Sequence, residues 1–467
     1  MRDGELVTVL RGARVIDSLH EEALPGNLIV IQGQTIRDVG LLEEPPDADR
    51  VIDTGQCTLM PGLIDAHLHV SGFNCLTFAN YRAAQFEVTP QRQAFYALFH
   101  AQVCLDMGFT SLRDVGGHKA SGPNTAEMVA VRDAINAGIV AGPRLLVAGF
   151  TYITSAHLDL PLPGAAPREQ GATADGPWDL RRMVRRNLRD GCDLIKTCAS
   201  GGGGTNKEEP DVRNMCQEEI DAIVDEAHAF KKRCACHCFT AEAQKMALRA
   251  GVDTLEHCVW TDDEAIQMML ERGTILTTTL LHRTDYAIAS RRRSGTPEFV
   301  LAKMKRLQPD TKETFQRLHE AGVRIALGTD TGIDPEIGRS AAELEIYVRY
   351  GMAPMDAIKA GTATAADALG IGDRVGTLEK GKLADIIAVD GDPSMDIGLL
   401  QQREKIKLVM KDGDVCVDRL NGHDITVVSD PEWRERLSVA GALRVLDFSL
   451  QEPVEAVGSN RTRVLTD

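Results

Sequence analysis

The sequence has few aromatic residues, a deficit of positive charge and no long apolar run. Aromatic side chains make up 4% of its 467 residues, and 68 acidic against 52 basic residues give a net charge of −16. Its short, interrupted basic runs cannot follow a phosphate backbone, and so few aromatic residues offer no stacking platform for bases. No window approaches the ~20 apolar residues of a membrane span. We therefore expect a small-molecule partner, and neither nucleic acid nor a membrane.

The sequence also shows no sign of secretion. Asp3 and Glu5 stand where a secretory signal would carry basic residues followed by an uninterrupted apolar stretch. The eleven cysteines are an odd number spread over a long chain, a pattern that favours reduced thiols over a disulfide framework. Both features predict a cytoplasmic protein, and a hydrophobic content of 43% allows a large core.

The two ends of the chain have the same pattern. Residues 1–60 contain short alternating or apolar segments separated by proline and glycine, and this pattern returns over residues 371–429. Such spacing is typical of strands joined by turns, so we expect one smaller β-sandwich domain built from both termini. Residues 430–467 carry no sharp pattern. They are predicted to be a C-terminal extension, either an arm over a neighbouring subunit of a homo-oligomer or a loosely held tail.

Strand-like and helical segments alternate through residues 61–370. Helical periodicity is clear over residues 218–230, 242–250 and 262–272. The segments between the helices are short and apolar, and eight is the number of strands that a closed parallel barrel requires. We therefore predict an α/β fold, a (β/α)8 TIM barrel, whose candidate strands are residues 62–69, 109–114, 143–148, 193–198, 234–238, 252–257, 274–279 and 323–329.

Side chains that can bind metal ions stand at the C-terminal ends of these strands, where parallel barrels place their active sites. His67 and His69 alternate along the first strand, so both imidazoles leave one face together, as two ligands of one ion must. Lys196 is an unusual ammonium group in an apolar fourth strand. The fifth, sixth and eighth strands end in further candidate ligands, which are His237, His257 and Asp330.

Each of these residues alone has an ordinary structural explanation, because strand-end histidines are commonly hydrogen-bonded core residues and buried lysines form ion pairs. Six of them at strand ends of one barrel favour a shared metal site. Cys236 and Cys238 should face the helices as core residues, and Cys198 is expected to pack beside Lys196. The glycine run 201–204 does not fit a phosphate-binding loop and is predicted to be a mobile loop.

Two motifs carry a family resemblance. They are Pro61-Gly-Leu-Ile-Asp-Ala-His-Leu-His69 and Lys380-Gly-Lys-Leu-Ala-Asp-Ile386. Through these motifs the chain resembles the amidohydrolase superfamily, and the likeness extends over nearly the whole sequence. It looks most like the binuclear branch with a lysine on the fourth strand, which contains imidazolonepropionase-like proteins, Xaa-Pro dipeptidases, and phenylurea and molinate hydrolases.

The resemblance implies a centre of two divalent metal ions. The implied ligands are His67, His69 and Asp330 for one ion, His237 and His257 for the other, and a carboxylated Lys196 that bridges both. A lysine carbamate is an anionic oxygen ligand, which explains how a lysine can serve among cations that would repel its ammonium form. Histidine and carboxylate ligands suit zinc, while manganese, cobalt and iron are also compatible because affinity alone does not choose between them.

The implied chemistry is hydrolysis of a C–N bond. Two cations that share a water would lower its pKa enough to give hydroxide at neutral pH. We expect this hydroxide to attack the substrate carbonyl while Asp330 takes its proton and passes it to the leaving nitrogen. Asp330 is thus predicted to be the catalytic acid and base as well as a ligand, and the protein to be a metal-dependent amidohydrolase.

Substrate contacts are predicted around the metal site. His157, after the third strand, corresponds to a loop histidine that holds substrate in the dipeptidase relatives, and His282 is predicted for the pocket rim. Phe239 stands where those dipeptidases commonly have a tyrosine that contacts the substrate carboxylate. Because phenylalanine cannot donate that hydrogen bond, we expect a small, mostly apolar amide, urea or carbamate, such as an N-aryl urea or a thiocarbamate. Asp65 and Asp114 are expected to support the ligands.

Other functions stay open at this point. A Xaa-Pro-type dipeptidase would apply the same chemistry to a dipeptide. A non-catalytic barrel used for interaction would belong to another class, but it would be expected to lose metal ligands, and all six are present. Isomerase and deaminase reactions also occur in this superfamily, although the bridging lysine favours amide hydrolysis.

Overall fold

The computed structural model of the chain describes residues 6–24, 26–41, 47–72, 86–116, 118–119, 122–123, 125–160, 165, 172–293, 295–332 and 337–428. The predicted extension at 430–467 lies outside these residues. Among the helices of this part of the chain, none combines the length and the apolar character that crossing a membrane requires.

The N-terminal segment forms short strands, as its turn-rich pattern predicts. They are β1 (Val7–Arg11), β2 (Arg14–Val15), β3 (Leu28–Gln32), β4 (Thr35–Gly40), β5 (Arg50–Asp53) and β6 (Cys57–Pro61). Four of them form one sheet in the order β4-β3-β1-β5. β1 pairs antiparallel with β3 and parallel with β5. All four strands of this sheet therefore come from the N-terminal segment.

Eight strands then form a parallel sheet that curls into a barrel. They are β7 (Leu63–Leu68), β8 (Phe109–Asp114), β11 (Arg144–Phe150), β12 (Leu194–Cys198), β13 (Arg233–Cys238), β14 (Thr254–His257), β15 (Ile275–Thr277) and β16 (Ile325–Ala326). A two-stranded ribbon, β9 (His118–Lys119) with β10 (Gly122–Pro123), lies between the second and third of them. The sheet order follows the chain order from β7 to β16, as expected for a (β/α)8 barrel.

The eighth strand is shorter than predicted. The sequence predicts residues 323–329, but only two residues pair with β15. Beyond them the backbone turns toward the first strand, where the amides of Thr329 and Asp330 both donate to the carbonyl of His67. These hydrogen bonds close the barrel between its last and first strands, and they place Asp330 directly beside His67.

Helices cover the outside of the barrel. They are α1 (Pro90–Asp106), α2 (Thr125–Asn136), α3 (Pro177–Arg189), α4 (Gln217–Ala229), α5 (Ala241–Ala250), α6 (Asp263–Arg272), α7 (Asp285–Arg293), α8 (Glu298–Glu320), α9 (Ala342–Arg349), α10 (Pro354–Ala360) and α11 (Ala363–Leu369). The ends of α5 and α6 follow the sequence directly. Thr240 and Asp262 cap their first turns, and Gly251 and Gly273 end them in the left-handed conformation.

The C-terminal strands complete a second sheet with strands from the N-terminal segment. They are β17 (Ile386–Asp390), β18 (Ile406–Lys411) and β19 (Asp414–Asp418). The sheet order is β19-β18-β17-β6-β2, with β17 antiparallel to β6. Buried side chains from both ends of the chain, including Leu10, Ile31, Ile386 and Met410, form one core. The predicted fold, a TIM barrel with separate sheets built from the termini, is confirmed.

Candidate metal centre

Two histidines of β7 and an aspartate after β16 meet at the C-terminal end of the barrel. His67, His69 and Asp330 each offer one ligand atom within 4.8 Å of the others. Asp330 Oδ1 lies 2.9 Å from His69 Nε2 and 3.4 Å from His67 Nε2. Burial would raise the pKa of Asp330, but His282 and the two β7 histidines hold it well below its ordinary value. The carboxylate is therefore ionised, the form that binds cations.

The rings of both β7 histidines are fixed from behind. His67 Nδ1 lies 2.5 Å from a carboxylate oxygen of Glu256, and His69 Nδ1 donates to the carbonyl of Gly116. Because these acceptors take the Nδ1 protons, both rings point an Nε2 lone pair toward Asp330 in the neutral state. Metal-ligating histidines are commonly oriented in this way.

His237 and His257, at the ends of β13 and β14, form a neighbouring pair. Their ring centroids are 4.6 Å apart, and the centroid of His257 is 4.9 Å from that of His67. His237 Nε2 lies 3.0 Å from the carbonyl oxygen of Gly201, and His257 Nδ1 lies 2.7 Å from the Thr279 hydroxyl. Burial lowers the pKa of both imidazoles well below the ordinary value, and neighbouring positive charges lower it further. Both rings are therefore neutral and available as donors.

Lys196 lies inside β12 and is 3% exposed. Its charge lowers the pKa of His237 and of Glu256, so its amine lies near both residues. Within the described ranges, no carboxylate lies within 4 Å of its Nζ and no residue hydrogen-bonds to it. A buried ammonium without a counter-ion is costly, so this site needs a negative partner or a change of charge on the lysine itself.

Backbone strain is concentrated at the same end of the barrel. His257, Thr279 and Asp330 have φ values of 76°, 53° and 61°, a region that residues other than glycine seldom occupy. Strand alternation would put Glu256 and His257 on opposite faces of β14, yet both contact His67. The left-handed backbone at His257 turns its side chain into the site. Strain of this kind commonly marks functional sites.

A buried ion pair supports the centre, and sequence reasoning missed it. Arg113 and Glu256 are 1% and 0% exposed and meet at 2.8 Å inside the barrel. Burial would raise the pKa of Glu256, but Arg113 and then His67 hold it well below the usual range. The signal available in the sequence was a glutamate inside a predicted strand, directly before a candidate ligand.

The predicted substrate histidine stacks on one of the metal-site rings. His157 lies 4.4 Å from His237 at an interplanar angle of 24°, and its Nδ1 is 2.8 Å from Glu208. Glu208 also accepts hydrogen bonds from the amides of Gly202 and Gly204, each at 3.0 Å. The glycine run predicted to be mobile is therefore held by a carboxylate, and a Cβ on Gly202 would meet the His157 ring at 2.0 Å.

Phe239 lies next to the centre and carries an arginine on its face. Its ring is 4.4 Å from that of His237, and the guanidinium carbon of Arg283 lies 4.9 Å above it. Arg283 is 4% exposed, and burial lowers its pKa to about 10. Its hydrogen bonds go to the hydroxyl and carbonyl of Thr279 at 3.3 Å, and no carboxylate of the described residues lies within 4 Å of it. Sequence reasoning missed Arg283, although it follows a candidate residue at a strand end.

The remaining predicted residues lie around the same centre. His282 Nε2 is 3.8 Å from Asp330 Oδ2. His282 therefore lies beside a proposed ligand, whereas the sequence analysis predicted it for the pocket rim. Asp65 accepts from the His67 amide at 3.0 Å, and Asp114 accepts from the Gly116 amide at 2.7 Å. Both acids therefore fix backbone that carries the site. The prediction that Cys236 and Cys238 are core residues is confirmed, since both are buried in the core that includes α4 and α5, and Cys198 is buried in the same core.

The fold and this cluster define a barrel enzyme with a candidate metal centre at the C-terminal ends of its strands. A model of the amidohydrolase family matches residues 58–416, and the chain belongs to this family. It is a hydrolase that acts on C–N bonds.

Individual relatives agree with the family assignment. Ochratoxinase from Aspergillus niger is 30% identical over 418 residues, which cover 84% of this chain and 83% of that protein. A crystal structure of a Xaa-Pro dipeptidase with bound methionine in the active site is 34% identical, has a TM-score of 0.78, and covers 88% of this chain and 99% of its own. The structure of molinate hydrolase, at 22% identity, shares the fold with a TM-score of 0.72 over 92% of this chain and 98% of its own.

Proposed function

We propose that this protein is a binuclear metal hydrolase that cleaves the C–N bond of a small amide, urea or carbamate. The observation that carries the proposal is that two donor sets meet at one end of the barrel. The first set is His67, His69 and Asp330, and the second is His237 and His257. Zinc suits imidazole and carboxylate donors, and manganese, cobalt and iron are compatible with the same residues.

Lys196 is proposed to be carboxylated and to bridge the two ions. Its amine is buried without a carboxylate within 4 Å among the described residues. The ammonium would first lose a proton, and the neutral amine nitrogen would then bond to the carbon of CO2 and release a second proton, which gives an anionic carbamate whose two oxygens suit two cations. The chemistry of the donor set fits this reading, because the His237 and His257 imidazoles are neutral, Asp330 is ionised and the lysine has no carboxylate within 4 Å among the described residues.

The protein's own residues would move the proton. Metal ions bound here would supply Lewis acidity and would lower the pKa of water. Asp330 would accept a proton from the attacking water as the water oxygen bonds to the substrate carbonyl carbon. It would then return that proton to the nitrogen as the C–N bond breaks. The backbone hydrogen bond from Asp330 to the His67 carbonyl holds the carboxylate in place for both transfers.

An apolar group next to the scissile bond is the first candidate for the substrate. The Phe239 ring lies 4.4 Å from His237 and 5.3 Å from His257. This ring forms an aromatic wall beside the proposed ligands, and aromatic walls favour apolar or aryl groups. The substrate would then be an N-aryl amide, urea or (thio)carbamate.

An N-acyl amino acid or dipeptide is the second candidate, and Arg283 favours it. The sequence argument against a carboxylate depended on Phe239, which cannot donate a hydrogen bond. Arg283 lies on that ring as a buried cation with no carboxylate within 4 Å among the described residues, and a guanidinium binds a carboxylate through paired hydrogen bonds. The Xaa-Pro dipeptidase of similar fold holds methionine, a free amino acid, in its active site.

We also propose a cytoplasmic homo-oligomer that uses a small-molecule substrate and no nucleic acid. The described cysteines form no disulfide with one another, which supports a reducing compartment. Phe95, Ile139 and Trp178 are 72%, 75% and 81% exposed, and association of subunits would cover such side chains where they lie in one interface. Light scattering coupled to size exclusion measures the oligomeric state directly.

The proposed chemistry is tested by one panel of assays on metal-replete protein. Wild type should contain two divalent ions per chain by elemental analysis and should hydrolyse at least one of a set of anilides, ureas, carbamates and dipeptides. Lys196→Met should lose metal and activity together, because the bridging ligand is gone. Lys245→Met removes a lysine paired at the surface with Asp262 and should keep both. Active wild type without bound metal would refute the proposal.

The same panel separates the two substrate candidates through Arg283. If the substrate carries a carboxylate, Arg283→Met should raise KM for dipeptides by about tenfold or more, because a charge-assisted pair is lost, and should leave neutral anilides unaffected. Arg292→Met, at an exposed pair with Glu298, is the control. Efficient turnover of neutral ureas alone, unchanged in Arg283→Met, would exclude the second candidate.

A further inference from the structure

A cavity of about 660 Å³ opens at the end of the barrel opposite the metal centre. Arg144 begins β11 and Arg233 begins β13, and both line this cavity together with the end of α11 and the turn between β18 and β19. His237 lies near the other end of β13. The cavity and the proposed catalytic site are therefore separated by the length of the barrel strands.

The cavity is basic although the chain is acidic. Eight of its lining side chains are lysine or arginine and three are aspartate, whereas the whole chain has a net charge of −16. A local excess of positive charge in an acidic protein does not follow from average composition. It requires that basic side chains from distant parts of the sequence are collected at one place.

Four of these eight cations have a carboxylate within 3.1 Å. Arg113 pairs with Glu256 at 2.8 Å, and Arg132 pairs with Asp193 at 2.7 Å. Arg144 lies 2.7 Å from Asp385, and Lys411 lies 3.1 Å from Asp412. The charges of these four cations are therefore balanced within the chain.

The other four cations are not compensated in this way. Lys231, Lys232 and Arg374 have no carboxylate within 4 Å among the residues that the structure describes. Arg233 has only a distant partner, since its Nε lies 3.7 Å from the Asp253 carboxylate. Three cations at this cavity therefore lack a carboxylate among the described residues and a fourth is weakly paired, which leaves positive charge that an anion from outside the chain can balance.

The remaining wall strengthens the attraction for an anion. Leu145, Leu369 and Ile371 also line the cavity. An apolar wall lowers the local dielectric and concentrates the field of the four cations. Arginine and lysine side chains bind phosphate and carboxylate groups through charge-assisted hydrogen bonds, and a cavity of this volume is large enough for a small organic ligand.

We propose that this cavity is a binding site for a small anion that carries two negative charges or more on phosphate or carboxylate groups. The site is independent of the C–N hydrolase reaction, since none of the proposed metal ligands lines it. Lys231 and Lys232 come from the loop before β13, and Arg374 follows α11, so the anion would connect two segments of the chain that are remote in sequence.

Binding is tested by titration calorimetry of the metal-replete protein at constant ionic strength. Inorganic phosphate and succinate are the probes at a pH of about 8, where both are mainly dianions; because both can also bind metal ions, the lysine variants assign the binding to this cavity. At least one should bind with one site per chain, and the stronger of the two identifies phosphate or carboxylate as the preferred group. Lys231→Gln/Lys232→Gln should weaken this binding by about tenfold or more, and Arg374→Gln should weaken it as well.

A matched pair of substitutions controls for net charge. Arg50→Gln/Lys380→Gln removes two exposed cations of the β-sandwich that do not line this cavity, and it should leave the affinity unchanged. No saturable binding of either dianion would overturn the proposal. So would binding that is unchanged in Lys231→Gln/Lys232→Gln, or that weakens equally in the control pair. Since none of these readouts uses turnover, failure here is distinguishable from failure of the proposed hydrolase function.

Discussion

The strand β13 begins with Arg233 at one end of the barrel and carries His237 near the other. At the C-terminal end, the donors include the neutral imidazoles of His237 and His257 and the ionised carboxylate of Asp330. At the N-terminal end, lysines and arginines line a cavity. The first set of side chains suits metal cations and the second suits anions, although β13 contributes to both.

Glu256 lies between the two ends and contacts both. Its Oε1 accepts from Arg113 at 2.8 Å and from Thr254 at 2.6 Å, while its Oε2 lies 2.5 Å from His67 and accepts from Thr277. One oxygen thus balances a cation of the lower barrel, and the other orients a proposed metal ligand. These contacts form an ionic layer inside the barrel, and this layer separates two ends of opposite chemical character.

The largest effect is expected at the C-terminal end, from Asp330→Asn. Asparagine keeps the shape and one oxygen donor but cannot take a proton, so turnover should fall by ~10²–10⁴-fold while most metal stays bound. Steady-state kinetics and elemental analysis of the same preparation measure the two quantities separately.

Asp175→Asn makes the same change at an exposed aspartate whose carboxylate accepts from Thr154. It should leave turnover and metal content as in wild type. If Asp330→Asn kept near-normal turnover, Asp330 would not be the proton carrier, and the functional contrast between the two ends would rest on the histidines alone.

The next effect tests the ionic layer itself. Arg113→Met leaves the Glu256 carboxylate buried without its cation, and breaking a buried pair from one side costs about 3–5 kcal/mol of unfolding free energy. Chemical denaturation with a two-state fit measures the loss. Arg113→Met/Glu256→Leu should cost less than the single change, because no charge is then left uncompensated.

Arg324→Met is the matched control for the ionic layer. It removes an arginine that begins the eighth strand region and pairs with Asp367. Both side chains of this pair are 47% exposed. Exposed pairs are worth about 1 kcal/mol or less, so this variant should stay close to wild type. Equal destabilisation by Arg113→Met and Arg324→Met would mean that the buried pair has no special role.

Much of this architecture can be predicted from sequence because it is local. Strand and helix periodicity indicate a barrel, and the alternation of His67 and His69 along one strand is enough to predict that both rings lie on one face. The spans of α5 and α6 follow from Thr240, Asp262 and the glycines that end them. Such features depend on residues a few positions apart.

The parts that sequence reasoning missed depend on distant residues. Arg113 and Glu256 are 143 positions apart, and their pairing requires the curvature of the closed sheet. Arg283 follows a predicted site residue, but only the structure puts it on the face of Phe239. The lysines and arginines of the basic cavity come from strands, loops and helices that share no sequence motif. Left-handed backbone at Asp330 likewise depends on the closing hydrogen bonds to β7, which no local pattern reveals.

The smallest effect concerns Glu343, which anchors the loop after β15 at the C-terminal end. Its carboxylate accepts from the amides of Leu280 and Leu281, each at 2.6 Å, and from Thr278 at 3.1 Å. Burial raises its pKa from 4.5 to about 7. The native state therefore binds this proton more tightly than the unfolded state. The stabilisation is fully present below pH ~4.5 and is lost as pH rises through about 7.

Glu343→Gln should remove this pH dependence, since the amide stays neutral. Its single oxygen can accept from one of the two backbone amides, which donate to different oxygens of Glu343, so the variant should also be less stable at every pH. Relative to the variant, wild type should lose about 1–3 kcal/mol of unfolding free energy between pH 4.5 and 8, measured by chemical denaturation across that range. Glu313→Gln, at an exposed position of α8, should instead run parallel to wild type. Parallel curves for wild type and Glu343→Gln would show that the anchor is ionised throughout, and that the C-terminal end tolerates a buried negative charge apart from the metal ligands.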